Sequence, residues 1–209
     1  MTSATRLRVS AALGAVLFIV GYMVVAVIPG GGDVTDSDFT DFYDSDGKMF
    51  LALLLTIALV LAVPALTWCF IELRAALGGG ELAQLASTLG ILGAVALPAG
   101  AFILGAPAGV QLNSDADFVG IPIAHAFAQA GIAVTVGLGM GLIAIATLLF
   151  NLEIRRTKAG PSWLWIAGVV LGVVCLGSYI WLPGMAFPIW LLALAAVGLK
   201  GAPGSATGA

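Results

Sequence analysis

Charge is scarce in this sequence: of 209 residues only 9% are Asp, Glu, Lys or Arg, where water-soluble domains carry roughly 25%. Eight Lys+Arg and eleven Asp+Glu cannot coat a water-facing surface of this size, which excludes a soluble globular domain. The basic residues form no dense cluster and the isoelectric point lies near 4.8. That excludes nucleic acid as a partner, because binding it needs a basic face to displace counterions from phosphates. There is one histidine, His125, so a single chain cannot supply a bis-histidine haem site or a histidine-rich metal cluster. No metal or other cofactor is expected. The two cysteines, Cys69 and Cys175, sit inside apolar runs without Cys-x-x-Cys spacing. They read as buried small hydrophobes rather than a disulfide or a zinc site. A Gly-x-Ser-x-Gly elbow, a His-Glu-x-x-His pair and a phosphate-binding glycine loop are missing too, so no familiar hydrolase or nucleotide chemistry is supported.

What is abundant is apolar. Hydrophobic residues make up 61% of the chain and its mean hydropathy is +1.12. The few charges gather in short stretches between long apolar runs, the pattern of a multi-pass membrane protein. The runs cover residues 9–28, 49–71, 82–104, 121–152, 163–182 and 186–199. They predict an all-α polytopic transmembrane bundle of six helices, a single domain over residues 1–200 followed by a flexible Gly/Ala/Ser tail, 201–209. The first run resembles a signal peptide, yet its twenty residues exceed the usual apolar core of about 7–15 and no Ala-x-Ala site closes it. It is expected to be retained as the first helix. The fourth run, opened by Ile121-Pro122, is long enough to tilt or to project beyond the bilayer. The last is short, which leaves a re-entrant segment open as an alternative to a full span. Pro64 and Pro98 fall inside the second and third runs, where they kink helices of any function. Trp163, Trp165 and Trp181 lie near the ends of the fifth, as aromatic belts do. The two halves of the chain show no correspondence that would mark inverted repeats.

Alternating loops give the orientation. With six spans, Arg6, Arg8, Arg74, Arg155, Arg156, Lys158 and Lys200 share one side, leaving only Lys48 on the other. The positive-inside rule then makes both termini cytoplasmic and the loop 30–48 extracytoplasmic. Five spans would put Lys200 outside, a poorer fit.

That outer loop carries Asp33, Asp36, Asp38, Asp41, Asp44 and Asp46, six of the eleven acids. Clustered carboxylates suit a hard cation. The spacing does not match the helix-loop-helix calcium loop, however: with Gly47 at the glycine position, Phe42 stands where the first Asp belongs and Leu53 where the bidentate Glu belongs. The loop therefore reads as a solvated acidic segment. Because Phe39, Phe42 and Tyr43 interleave with Asp36, Asp38, Asp41 and Asp44, it also reads as an amphipathic cap that rests on the bilayer or docks a partner.

Within the fourth run His125 and Gln129 stand one helical turn apart on one face, with Thr135 continuing the same general side. Ionisable groups inside a membrane helix are candidate functional groups. His125 lies about one turn from the outer end, so a structural contact to interfacial water or a carbonyl stands beside a proton-binding or substrate-contacting role. Glu72 and Arg74, at the inner end of the second run, read as an ordinary interfacial pair. No other acid lies inside an apolar run, and this weakens an ion-coupled carrier. Small residues recur at four-residue spacing in Gly137-Leu-Gly-Met-Gly141 and Gly168-Val-Val-Leu-Gly172, which permits close helix approach within the bundle or against another subunit.

A first helix followed by an outer polar loop, the helix end Phe70-Ile-Glu-Leu-Arg-Ala-Ala-Leu77 and the late opening Pro161-Ser-Trp-Leu-Trp165 together resemble the DUF4386-like group. These are small actinobacterial multi-pass membrane proteins of unknown function. The resemblance implies a bacterial plasma-membrane setting and brings no catalytic residues with it. The expected function is that of a non-enzymatic accessory or scaffolding subunit. Its partners would be the lipid bilayer, other integral membrane proteins and a second copy of itself. A small-solute or proton-linked carrier using His125 and Gln129 is the alternative, and a membrane enzyme ranks third.

Overall fold

The computed structural model describes residues 2–30, 34–114, 120–177 and 181–199. Among them every regular element is helical. In chain order the helices are α1 (Ser3–Val27, with one turn at Met23), α2 (Asp36–Tyr43), α3 (Asp46–Ala76), α4 (Glu81–Ser114), α5 (Ile121–Thr157), α6 (Ser162–Leu176) and α7 (Ala186–Val197). A single turn, Trp181–Gly184, precedes α7. Four helices, α1, α3, α4 and α5, are 25 to 37 residues long and apolar enough to cross a membrane. At about 1.5 Å per residue, α6 and α7 reach only roughly 22 and 18 Å, short of a hydrocarbon core of about 30 Å.

The expected count of six changes to seven because α2 forms inside the segment read as a loop. Its start is held by Asp38, whose carboxylate accepts the Thr35 backbone N–H at 2.8 Å and the Thr35 hydroxyl at 2.7 Å. Phe39, Phe42 and Tyr43 then fall at i, i+3 and i+4, one face of a helix. The other boundaries move outward from the apolar runs. Thr2 caps α1 through Thr5 N–H, and Ser45 caps α3 through Lys48 N–H. Helix α4 continues past Leu104 to Ser114, and α5 runs on to Thr157. Hydropathy marks where a helix can meet lipid, whereas its hydrogen bonds persist into polar sequence. Gly78 and Gly79, with φ of 83° and 69°, end the turn after α3 in the left-handed region that glycine enters without strain. The fifth run, expected to reach residue 182, stops at Leu176, and residues 178–180, Lys200 and the tail 201–209 lie outside the described residues.

Each of the six larger helices packs on its neighbour in sequence, and α7 returns to pack on α1, closing a ring. Glycines set the closest approaches. A Cβ at Gly21 of α1 would stand 2.6 Å from Leu59 Cα of α3, and one at Gly131 of α5 would stand 2.6 Å from Leu104 Cβ of α4. On the same α4–α5 seam Gly93 meets the Gly139 carbonyl, Gly100 meets Thr135 and Gly139 meets Leu97. Here α5 widens into eight residues of π-helix, Ala133–Met140, and the Thr135 hydroxyl donates to the Leu97 carbonyl at 3.3 Å, beside Pro98.

The two spaced glycine patterns take different places in the fold. Gly168 and Gly172 do pack inside the bundle, against Asn151 and Leu148 of α5. Gly137 and Gly141 face open space, with no atom within 4 Å of an added Cβ. The working spacing is Gly131-x3-Thr135-x3-Gly139, a register that the same stretch of sequence also contains.

Aromatic rings fill the centre. Phe18 stacks on Tyr22 at 5.0 Å and meets Phe187 edge-on at 5.3 Å, while Phe70, Phe150, Phe187 and Trp190 form a cluster with centroids 5.9–6.5 Å apart. Such pairs contribute about 0.5–1.5 kcal/mol each beyond area burial. Trp190 donates its indole N–H to Asn151 Oδ1 at 3.2 Å, and Asn151 Nδ2 donates to the Thr147 carbonyl at 2.7 Å, so this fully buried amide is satisfied. Outward, the helices present unbroken apolar stripes: Val9, Leu13, Val16 and Val20 on α1, and Phe50, Leu54, Ile57 and Leu61 on α3 are all exposed. A water-soluble monomer does not expose patches on this scale.

Candidate functional site

The polar residues concentrate at the two ends of the ring. At one end α2 lies across the helix termini as a cap. Phe39 is fully buried, Phe42 and Tyr43 are 2% exposed, and Asp36, Asp38, Asp41, Asp44 and Asp46 all face outward. The aromatic half of the amphipathic segment thus turns into this chain's own bundle, so the surface left for another molecule is the acidic one alone. Burial pushes the Tyr43 hydroxyl up to about 12. The Thr35 hydroxyl and then the Thr35 backbone N–H hold the Asp38 carboxyl below its ordinary range.

Three helices fasten this cap. From α5, His125 sets its ring 4.2 Å from that of Phe39, and its Nε2 lies 3.6 Å from Asp36 Oδ1, an ion pair when the imidazole is protonated. One turn on, Gln129 Nε2 donates to the Gly30 carbonyl at 3.1 Å. From α4, Gln111 Nε2 donates to the Tyr43 carbonyl at 2.9 Å, and from α3 the Lys48 ammonium donates to the Asp41 carbonyl at 3.1 Å. The structure therefore brings His125, Gln129, Asp36 and Phe39 into one assembly that sequence spacing had left as two separate candidates. Gln111, Gly30 and Lys48 belong to it as well. Each stands beside an apolar run, Gly30 and Gln111 after one and Lys48 before one, and that signal names no partner.

At the opposite, basic end two acids are buried. Glu72 pairs with Arg6 of α1 at 3.1 Å and accepts from Trp68 at 3.3 Å and from Ser3 at 3.4 Å. The Glu72–Arg74 pairing expected from sequence does not form, since Arg74 points outward. Glu153, expected in a loop, is 4% exposed on α5, with Arg156 Nη1 3.6 Å from its Oε2. That oxygen has no hydrogen-bond partner. Arg8 donates to the Val197 carbonyl at 2.8 Å, tying α1 to α7, and Arg155 lies 4.8 Å over the Trp165 ring. Cys69 and Cys175 are buried with free thiols.

No group of three or more His, Cys, Asp or Glu placed to hold a metal occurs among the described residues. The acids of α2 follow one another along its outward side instead of converging on a point. No family model, curated protein or solved structure matches the chain. The geometry of the cap offers a set of outward-facing carboxylates on a docked helix that His125, Gln111 and Lys48 fasten to the bundle.

Proposed function

We propose that this chain is a non-enzymatic accessory or scaffolding subunit of a bacterial plasma-membrane complex. In this reading the four long helices cross the bilayer outright and the shorter α6 and α7 cross where it thins locally to match them, which leaves both termini cytoplasmic and the α2 cap outside. The observation that carries the reading is the orientation of α2: its aromatics are used up inside the bundle, and its carboxylates are fixed outward on a short helix. Preorganised like charges of this kind suit a cationic segment on the outer part of another membrane protein, because binding does not have to order the side that presents them. The outward apolar stripes supply the surface along which the two proteins meet in lipid. Of the groups a small-solute or proton-linked carrier would use, His125 is engaged with the cap and Gln129 with the Gly30 carbonyl beyond the end of α1, which favours the subunit reading over that alternative.

The test is purification of the tagged chain at native level in mild detergent, with sizing and mass spectrometry of what remains bound. The triple variant Asp36→Asn, Asp41→Asn, Asp44→Asn removes outward charge and leaves Asp38 and the buried aromatics in place. A partner retained by the wild type and lost from this variant is the expected result. A lone monomer or homo-oligomer in both preparations overturns the proposal.

A further inference from the structure

At the basic end a cleft of about 520 Å³ opens between α1, the α5–α6 turn and the residues that follow α7. Its walls are Arg8, Lys158, Ala159, Gly160, Pro161 and the stretch Val197-Gly198-Leu199. Two cations line it and no acid does. Neither Arg8 nor Lys158 has a carboxylate partner among the described residues, although every ion pair found there joins such groups elsewhere. Arg8 is nevertheless held in place. One guanidinium nitrogen donates to the Val197 carbonyl at 2.8 Å, which leaves other N–H donors of the fork for a ligand. Gly198 makes the room: at φ of 68° it lies under the guanidinium, and a Cβ there would stand 2.8 Å from Arg8 Nε. Lys158 takes the left-handed conformation, φ of 53°, in the turn where it lines the same opening.

We infer that this cleft binds the phosphodiester headgroup of an anionic phospholipid. An arginine fork beside a lysine suits phosphate oxygens, and basic pockets at helix ends are a recurrent form of headgroup site. Two observations favour a lipid over a free phosphate ion. The cleft has apolar walls in Val197, Leu199 and Pro161. Val9, next to Arg8 in sequence, begins the exposed α1 stripe Val9, Leu13, Val16 and Val20, which gives acyl chains an apolar surface close to the cleft. The inference rests on the membrane reading but is independent of any protein partner.

The experiment uses the purified full chain in a neutral maltoside detergent, offered phosphatidylglycerol or phosphatidylcholine, with bound lipid counted by native mass spectrometry. Phosphatidylglycerol should be retained in preference. Arg8→Gln and Lys158→Asn should each lower its retention about five-fold, the worth of one interfacial cation. Arg74→Gln, which removes an exposed charge at the same end of the bundle but outside the cleft, should leave retention unchanged. Lys158→Asn keeps the test valid should Arg8→Gln disturb the α1–α7 contact, since asparagine tolerates the left-handed backbone. Folding is checked by the size-exclusion profile. Equal retention of the two lipids, unchanged retention in both cleft variants, or an equal loss in Arg74→Gln overturns the site. Displacement of the lipid by millimolar inorganic phosphate would assign the cleft to the free anion and overturn the lipid assignment.

Discussion

Truncating Phe39 to alanine isolates the cap from the bundle. The ring is fully buried and lies 4.2 Å from His125. Removing a buried phenyl typically costs about 3–5 kcal/mol. An eight-residue helix cannot hold itself in water, so the loss falls on the docking of α2 and not on the seams between the longer helices. At 1.4 kcal/mol per decade, the undocked population rises by a factor of roughly 10² to 10⁴. Hydrogen exchange of the full chain in lipid nanodiscs reads this out, because amides of a locally opening unit report that unit's own free energy. Amides of α2 should exchange faster by that factor, while those along the α4–α5 seam keep their wild-type rates. Asp36→Asn serves as the comparison. It removes only a 3.6 Å contact to His125 from an exposed side chain and should change α2 exchange less than about five-fold. Wild-type α2 exchange in Phe39→Ala would refute the docked cap. Parallel acceleration of the seam amides would refute its independence.

Other perturbations test the interior and the cap's acid sensitivity. Gly131→Ala forces a methyl to within 2.6 Å of Leu104 Cβ. Such overpacking costs about 1–3 kcal/mol, a fall in thermal midpoint of roughly 2–12 °C for a chain of this size. Gly137→Ala meets open space and should be neutral or stabilising by up to about 1 kcal/mol, so equal shifts in the two variants would remove the basis for the seam. Asn151→Ala leaves the Trp190 indole N–H without its acceptor in a dry core and should cost about 1–3 kcal/mol. Adding Trp190→Phe to it should then cost less than the two single changes together, as a double-mutant cycle will show. Because the Asp38 carboxyl is held below its ordinary range, its capping contribution is complete above that range and lost as pH falls through the lowered value. Protection of the α2 amides, taken relative to their intrinsic exchange rate at each pH, should therefore fall on acidification, and Asp38→Ala should flatten this response.

The long apolar helices were legible because a stretch of some twenty residues without charge has few alternatives to a helix. Which way each side chain faces was not, because these helices are apolar on every side and carry no polar face to set their rotation. Gly137-x3-Gly141 and Gly131-x3-Thr135-x3-Gly139 are equally good patterns on paper, and only the position of α4 separates them. The acids show the same limit from another side. Glu72 and Arg74 are two positions apart, about 200° around a helix, so they could not face one another. Glu72 turns instead to Arg6, far away in sequence. Glu153 sits among basic residues that suggested a loop, yet α5 continues through them and rotates the carboxylate inward while Arg155 and Arg156 stay exposed. The cap was half legible. The capping pair Thr35 and Asp38 and the one-sided aromatics were there to be read, but whether those aromatics faced lipid, a partner or the bundle depended on Gln111, His125 and Gln129 being near.

Closing the ring between α1 and α7 also sets an order of assembly. The Arg8 bond to the Val197 carbonyl spans 189 residues. At a synthesis rate of about 5–20 residues per second, the second partner emerges roughly 10–40 s after the first. Throughout that interval Phe18 lacks its edge-on contact with Phe187, and that face of α1 must be kept by lipid or by the insertion machinery. The α1–α7 seam thus forms after the seams among the helices between them, and only in chains whose α7 has been made.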